Sequence, residues 1–231
     1  MDSEDLTVRV HELREQGYSV KRIARALGLP SATVAPLVNA IIAEDYPDSA
    51  EREVLGCWIS PGWSDGLTLP EHPEWPDTDI GNSGTSGLAS VLLARRDRRT
   101  QVRVCGYLAD VYCLGVKNVI GPRVMDDGDL PEFADSFFSA YEGEPVSVPI
   151  ELAREIVYGA AAYARSLGFA PAPGFKAAAD HLGPASGPSS IGFGQHGKPF
   201  FIQGPADNPT AVLRTLERSV GHGNFDFLVT A

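Results

Sequence analysis

The segment of this 231-residue chain with the most chemically active side chains is 110–118, DVYCLGVKN. If residues 107–117 form one regular strand, Cys113 and Lys117 share one face and Asp110 lies on the other, because side chains alternate along a strand. A lysine two pleats from a thiol lowers the pKa of that thiol, which favours a nucleophile. Asp110, Cys113 and Lys117 are therefore candidate catalytic residues. The interpretation that we favour is a buried strand in which Cys113 is a small apolar side chain.

Two further segments have residue types suited to holding an anion. The loop 81–87, GNSGTSG, can present several backbone N–H groups, but it matches neither the Walker A nor the GxGxxG pattern, and a tight turn is the simpler explanation. Lys198 precedes a predicted helix that begins near Pro209, and a helix N-terminus beside a lysine can bind phosphate or carboxylate. An Asp207 side chain in the cap position of that helix would argue against such a site.

Metal-binding patterns are missing from the sequence. None of the five histidines lies in an HxH or HExxH arrangement, and the three cysteines form no CxxC pair. Zinc sites need such closely spaced ligands. We therefore expect no metal site, no cofactor and no disulfide scaffold.

The charge balance limits how the chain can meet nucleic acid. The chain has 19 Lys and Arg against 30 Asp and Glu, which gives a net charge of −11. An acidic protein repels phosphates, so any contact with nucleic acid must come from a local basic patch. The densest basic cluster is 95–99, RRDRR, which we place at a hairpin tip, where it either contacts a nucleic-acid backbone or is simply solvated.

Neither a secretory signal nor a membrane helix is recognisable in the sequence. The opening segment, MDSEDLTVRV, is acidic and lacks an apolar run, and no apolar stretch reaches the roughly 20 residues that a membrane span requires. We expect a cytoplasmic protein with reduced thiols and no membrane association.

Residues 18–39, YSVKRIARALGLPSATVAPLVN, show the pattern of two short helices around a tight turn. Small Ala24 permits close helix approach, and Gly28 can take the positive φ of the turn. The apolar face between the helices consists of Ile23, Leu27, Leu29, Val34 and Leu37. Over residues 5–43 the chain resembles the helix-turn-helix superfamily, in the form found in resolvases and bacterial regulators. The resemblance implies a trihelical module whose last helix enters the DNA major groove.

The resemblance also implies which residues contact DNA. Residues on the first helix of the motif suit phosphates, and those on the second are positioned to reach base edges. The phosphate group is Lys21, Arg22 and Arg25, and the base-reading group is Ser31, Thr33 and Asn39. No base-reading position is an arginine, lysine or glutamine, and Pro36 removes a helix hydrogen bond. The alternative is a module that binds protein or dimerises.

The rest of the chain alternates strand-like and helix-like segments. We predict a β-hairpin that begins at Leu88, helices over 131–141, 149–167 and 174–182, a hairpin turning at His196 and Gly197, a helix led by Pro209, and a final strand NFDFLV. The expected domains are a helix-turn-helix domain at 1–45, a linker at 46–56 and an α+β domain at 57–231. The fold class is α+β, with a trihelical module followed by a larger domain of antiparallel hairpins and packed helices.

We expect a DNA-binding bacterial regulator that acts as a homodimer, with a helix-turn-helix head and an α+β sensor or assembly domain. Two alternatives stay open: a hydrolase or nuclease acting on nucleic acid, and a protein-interaction module that binds no DNA. The segments YCLGVKN, IVYGAAAYARSLGF and GKPFFIQGP resemble parts of uncharacterised bacterial proteins, which implies no particular activity. The DNA target, the ligand and the reaction are left open.

Overall fold

The chain divides into two compact units, Met1–Arg52 and Glu53–Ala231. The computed structural model describes residues 3–15, 18–45, 52–77 and 85–229. The sequence predicted a linker over 46–56, but the first strand of the larger unit already begins at Val54. The end of the expected linker therefore belongs to that unit, because it pairs with a neighbouring strand.

Three helices form the smaller unit, as predicted. They are α1 (Ser3–Glu15), α2 (Val20–Leu27) and α3 (Ser31–Asp45). The Ser19 hydroxyl caps α2 by accepting a hydrogen bond from the Arg22 backbone N–H (3.4 Å). Gly28 ends α2 with a φ of 67°, and a Cβ there would meet nothing within 4 Å, so the positive φ alone favours glycine. The core of this unit is Val10, Ile23, Ala24, Val34 and Val38.

Five strands of the larger unit form one antiparallel sheet in the order β4-β3-β2-β1-β5. They are β1 (Val54–Ile59), β2 (Leu88–Arg98), β3 (Gln101–Asp110), β4 (Gly115–Asp126) and β5 (Val146–Ser147). The β2–β3 pair runs from Leu88 opposite Asp110 to Arg98 opposite Gln101, which confirms the predicted hairpin. The arginine-rich cluster mostly extends β2, and the turn itself is formed by residues 99–100.

A second turn, at 111–114, divides the segment that the sequence predicted as one strand over 107–117. The Asp110 carboxylate ends β3 by accepting hydrogen bonds from the backbone N–H groups of Tyr112 (3.0 Å) and Cys113 (2.8 Å). The alternation of faces expected over 107–117 is therefore wrong, because the chain reverses direction inside that segment.

Helices cover both faces of the sheet. They are α4 (Leu130–Phe138), which follows a 3-10 turn at Asp127–Asp129, and α5 (Ile150–Ser166) and α6 (Phe175–Leu182), whereas α7 (Pro209–Ser219) belongs to the C-terminal part of the unit. In β2, Leu92 and Ala94 pack in the cluster with α4, whereas Val91 and Leu93 pack in the cluster with α5. Burial on both faces explains the continuous apolar run of β2. Within the described ranges, every helix is too short or too polar to span a bilayer.

The C-terminal part is a strand-helix-strand segment around α7. Its strands, β6 (Phe200–Ile202) and β7 (Asp226–Leu228), pair in parallel. The sequence predicted an antiparallel hairpin turning at His196 and Gly197, but only a single bridge between Gln195 and Lys198 forms there, because β6 pairs with β7 instead. Asn208 caps α7, since its side-chain oxygen accepts a hydrogen bond from the backbone N–H two positions after Pro209 (3.1 Å).

Candidate functional site

The α2–α3 surface of the smaller unit holds the predicted DNA contacts. Lys21, Arg22 and Arg25 on α2 are exposed, and the Arg22 guanidinium lies 4.1 Å from the centre of the Tyr18 ring. The segment 18–43 contains these cations and no Asp or Glu. The chain, although acidic, therefore has a local basic patch on this surface, which we call the α2–α3 patch.

The start of α3 presents small polar side chains beside the α2–α3 patch. Ser31 and Thr33 are exposed, while the opposite side of α3 lies in the core of the unit. Pro36 lies beyond the first turn and removes one backbone hydrogen bond, yet the helix continues past it. Asn39, the third predicted base-reading residue, is in α3, but its side chain lies outside the described residues.

A cavity of about 180 Å³ in the larger unit contains part of the predicted catalytic set. Asp110 and Lys117 line this cavity, and Cys113 does not. Its other walls come from 86–88 at the start of β2, from β6, and from the loop 203–205 that follows β6. The cavity therefore joins the sheet to the C-terminal strand-helix-strand segment.

An ion pair anchors one side of the cavity. Lys117 Nζ on β4 lies 2.5 Å from Asp207 Oδ2, just before α7, and the two side chains are 18% and 11% exposed. The Gly204 backbone N–H donates a hydrogen bond to the same Oδ2 (2.8 Å). A Cβ at Gly204 would lie 3.1 Å from Lys117 Nζ, so glycine permits the close approach of this loop to the ion pair.

Asp110 is a buried carboxylic acid in the wall of the cavity. Burial raises its pKa from an ordinary value of 3.8 to about 6. Hydrogen bonds from the backbone N–H groups of the turn 111–114 and the charge of Lys117 act in the opposite direction, without offsetting burial. The carboxyl group therefore changes its protonation state just below neutral pH.

Cys113 does not have the environment of a nucleophile. Its side chain is buried in a cluster with Phe201 and Leu216. Burial raises the pKa of the Cys113 thiol, the nearby Asp110 charge raises it further, and Lys117 lowers it by less than either. The expected lowering of this pKa is wrong, because the turn directs Cys113 into an apolar cluster. This burial agrees with the interpretation of Cys113 as a small apolar side chain.

The arginine cluster of β2 does not form a single basic tip. Arg95 is 2% exposed, and its Nε donates a hydrogen bond to the His181 carbonyl oxygen (2.8 Å). Arg96 pairs with Asp127 (3.1 Å), and Arg99 is exposed in the turn. The predicted tip of four arginines is wrong, because the strand continues through the cluster and buries Arg95.

Of the two segments with residue types suited to an anion, only the one at Lys198 lies fully within the described residues, and its lysine is already paired. Lys198 donates a hydrogen bond to Asp226 (2.9 Å), and Asp207 binds Lys117 rather than capping α7. The loop residues 81–84 lie outside the described residues. In the part of the chain that the structure describes, no group of three or more His, Cys, Asp or Glu could hold a metal ion.

Sequence reasoning missed the acid that pairs with Lys117 beside the cavity. Asp207 is 90 positions from its partner Lys117, and no spacing rule connects them. The only local signal was the helix start at Asn208 and Pro209, which placed Asp207 beside a helix end but indicated nothing about its partner.

Comparison with protein-family models, with curated proteins and with solved structures finds no match to the chain. The helix-turn-helix resemblance of residues 5–43 therefore stays a prediction, and the function has to be argued from the geometry of the two sites.

Proposed function

We propose that the chain is a DNA-binding bacterial regulator that acts as a homodimer, in which the three-helix unit contacts DNA and the larger unit serves as a sensor or assembly domain. The observation that carries this proposal is the set of three exposed cations on α2. The segment 18–43 is free of carboxylates and has exposed Lys21, Arg22 and Arg25, although the whole chain has a net charge of −11. Binding to phosphates requires such a patch.

The exposed start of α3 supports the same function. In a helix-turn-helix module the second helix of the motif reaches the major groove with its first residues, and here these include the hydroxyl side chains of Ser31 and Thr33. Hydroxyl groups bond to bases and phosphates alike and do not select guanine as arginine does. We therefore expect affinity that comes mainly from phosphates and only modest sequence preference.

Fluorescence anisotropy of the full chain with labelled genomic duplex fragments at several salt concentrations tests the proposal. We expect affinity to fall as salt rises, and Lys21→Ala to reduce the slope of log affinity against log salt by about one, because one phosphate contact is lost. Removing all three cations of the α2–α3 patch should abolish binding. Light scattering should give twice the mass of one chain.

The matched control is Arg9→Ala, which removes one positive charge from α1, where Arg9 pairs with Glu12. This variant should bind DNA like the unaltered chain. Absence of binding to every fragment at low salt, or an equal loss in the Arg9 and Lys21 variants, would overturn the proposal and favour the protein-interaction alternative. For the hydrolase or nuclease alternative, Asp110 and Lys117 line the cavity but Cys113 is buried outside it, so the three predicted catalytic residues do not form one site.

A further inference from the structure

The cavity between β4, β6 and the start of β2 has the size of a site for a small metabolite. Its volume is about 180 Å³, well below the roughly 300–1,000 Å³ of clefts that hold drug-sized ligands. The enclosed space therefore suits a ligand smaller than a drug-sized molecule.

One positively and one negatively charged side chain line this cavity. Lys117 lines the cavity. Among the described residues, its ammonium group donates one hydrogen bond, to Asp207, so two of its three N–H donors can bond to a ligand. Asp110 also lines it and accepts from three backbone N–H groups of the turn, although a carboxylate offers about four acceptor positions. Both groups can therefore bond to a ligand without losing their present partners.

The remaining wall combines apolar side chains with the polar side chains of Ser86 and Gln203. Leu88 lies at the start of β2, Tyr112 in the turn, and Phe200 and Ile202 on β6. A purely apolar ligand would leave the charged groups dehydrated without partners, which is costly. A simple anion would meet the carboxylate of Asp110, and a simple cation would meet the ammonium group of Lys117.

We propose that this cavity binds a small zwitterion, namely a free α-amino acid with an apolar side chain. Its carboxylate accepts a hydrogen bond from Lys117, its ammonium group donates to Asp110, and its side chain packs against Phe200 and Ile202. The site belongs to the larger unit alone, so it stands independently of DNA binding by the three-helix unit.

A titration of the isotope-labelled full chain, followed by the backbone amide signals in NMR spectra, tests the proposal. The probes are glycine, L-alanine, L-valine, L-leucine and L-phenylalanine, which form a series of increasing side-chain size. At least one of them should shift the amide signals of Gly87, Lys117 and Gly204 in a saturable manner. No shift at these amides for any probe in the series would overturn the proposal.

Two analogues separate a zwitterion site from a general apolar pocket. N-Acetyl-L-leucine lacks the ammonium group, and 3-methylbutylamine is leucine without its carboxylate. Each should bind at least about tenfold more weakly than L-leucine, because each loses a charge-assisted hydrogen bond. Equal affinity for all three would contradict the proposal, and this comparison needs no variant protein.

Variants then assign the two charged contacts. Asp110→Asn should weaken L-leucine binding about tenfold, since the ammonium group of the ligand loses its ionic partner. The ratio of the affinities for L-leucine and N-acetyl-L-leucine should therefore fall. Lys117→Gln should instead lower the ratio of the affinities for L-leucine and 3-methylbutylamine. Lys198→Met, which breaks an exposed ion pair elsewhere in the larger unit, should leave the affinity unchanged. An equal loss of L-leucine affinity in all three variants would overturn the assignment of the two contacts.

Discussion

At the scale of single residues, Asp110 has two roles that its position imposes together. It ends β3 by accepting hydrogen bonds from the turn, and it places a carboxyl group in a cavity wall with 4% of its surface exposed. Burial disfavours the charged form, so the pKa rises to about 6. The group that shapes the turn is therefore also a group whose charge changes just below neutral pH.

Asp110 makes the stability of the larger unit depend on pH in a defined direction. Its folded-state pKa of about 6 lies above the ordinary value of 3.8, so the folded chain holds this proton more tightly. The resulting stabilisation is complete below about pH 4 and is lost as the pH rises through about 6, and a shift of about two pKa units corresponds to about 3 kcal/mol.

Asp110→Asn tests this dependence, because the amide oxygen can still accept the hydrogen bonds of the turn and does not titrate. We expect urea unfolding between about pH 4 and 6 to lose the downward trend in free energy of unfolding that Asp110 contributes. Glu142→Gln, at an exposed position, is the control and should keep the trend. An unchanged trend in the Asp110 variant would contradict the assignment.

At the scale of elements, β2 links the sheet to the end of α6. The Arg95 side chain points into the interior of the unit. Its Nε donates a hydrogen bond to the His181 carbonyl oxygen (2.8 Å), and a terminal nitrogen donates one to the Leu182 carbonyl oxygen (3.4 Å). Arg154 of α5 donates to the Leu182 carbonyl as well (3.1 Å). Carbonyl groups at a helix C-terminus lack partners within the helix, and cations stabilise them.

Arg95→Leu should lower the free energy of unfolding by roughly 3 kcal/mol, because the buried His181 carbonyl loses its Arg95 donor and the Leu182 carbonyl keeps only Arg154. The matched control comes from the same cluster: Arg99→Leu alters an exposed turn residue and should change stability by no more than about 0.5 kcal/mol. Denaturant unfolding of both variants gives the comparison. Similar losses in the two variants would show that burial of Arg95 is unimportant.

At the scale of the whole molecule, the two units differ in the size of their cores. The smaller unit has a core of Val10, Ile23, Ala24, Val34 and Val38, whereas the larger unit has clusters on both faces of its sheet. A domain of about 50 residues buries a smaller share of its surface than one of about 150 residues and is correspondingly less stable.

Amide hydrogen exchange of the full chain should therefore separate the two units. We expect the amides of Ile23 and Val34 to exchange faster than those of Val91 and Leu93, because the three-helix unit opens at a lower free energy. DNA bound at the α2–α3 patch should slow exchange in the smaller unit. Equal protection of both groups in the free chain would mean that the two units unfold as one cooperative body.

The sequence by itself determined the features that depend on neighbouring residues. Gly28 ends α2, Asn208 and Pro209 begin α7, and the periodic apolar positions of 149–167 predict α5, because caps and helical periodicity act over a few residues. The β2–β3 hairpin was predicted for the same reason, since its strands are adjacent in the chain.

Only the tertiary structure decided which distant residues meet. The Lys117–Asp207 ion pair, the burial of Arg95 and the parallel pairing of β6 with β7 join segments that no local pattern connects. The turn at 111–114 also escaped prediction, because 107–117 reads as one apolar strand until the Asp110 carboxylate binds the following backbone N–H groups. Packing and hydrogen bonding in three dimensions thus made a buried acid and a lysine, on opposite sides of a turn, into the walls of one cavity.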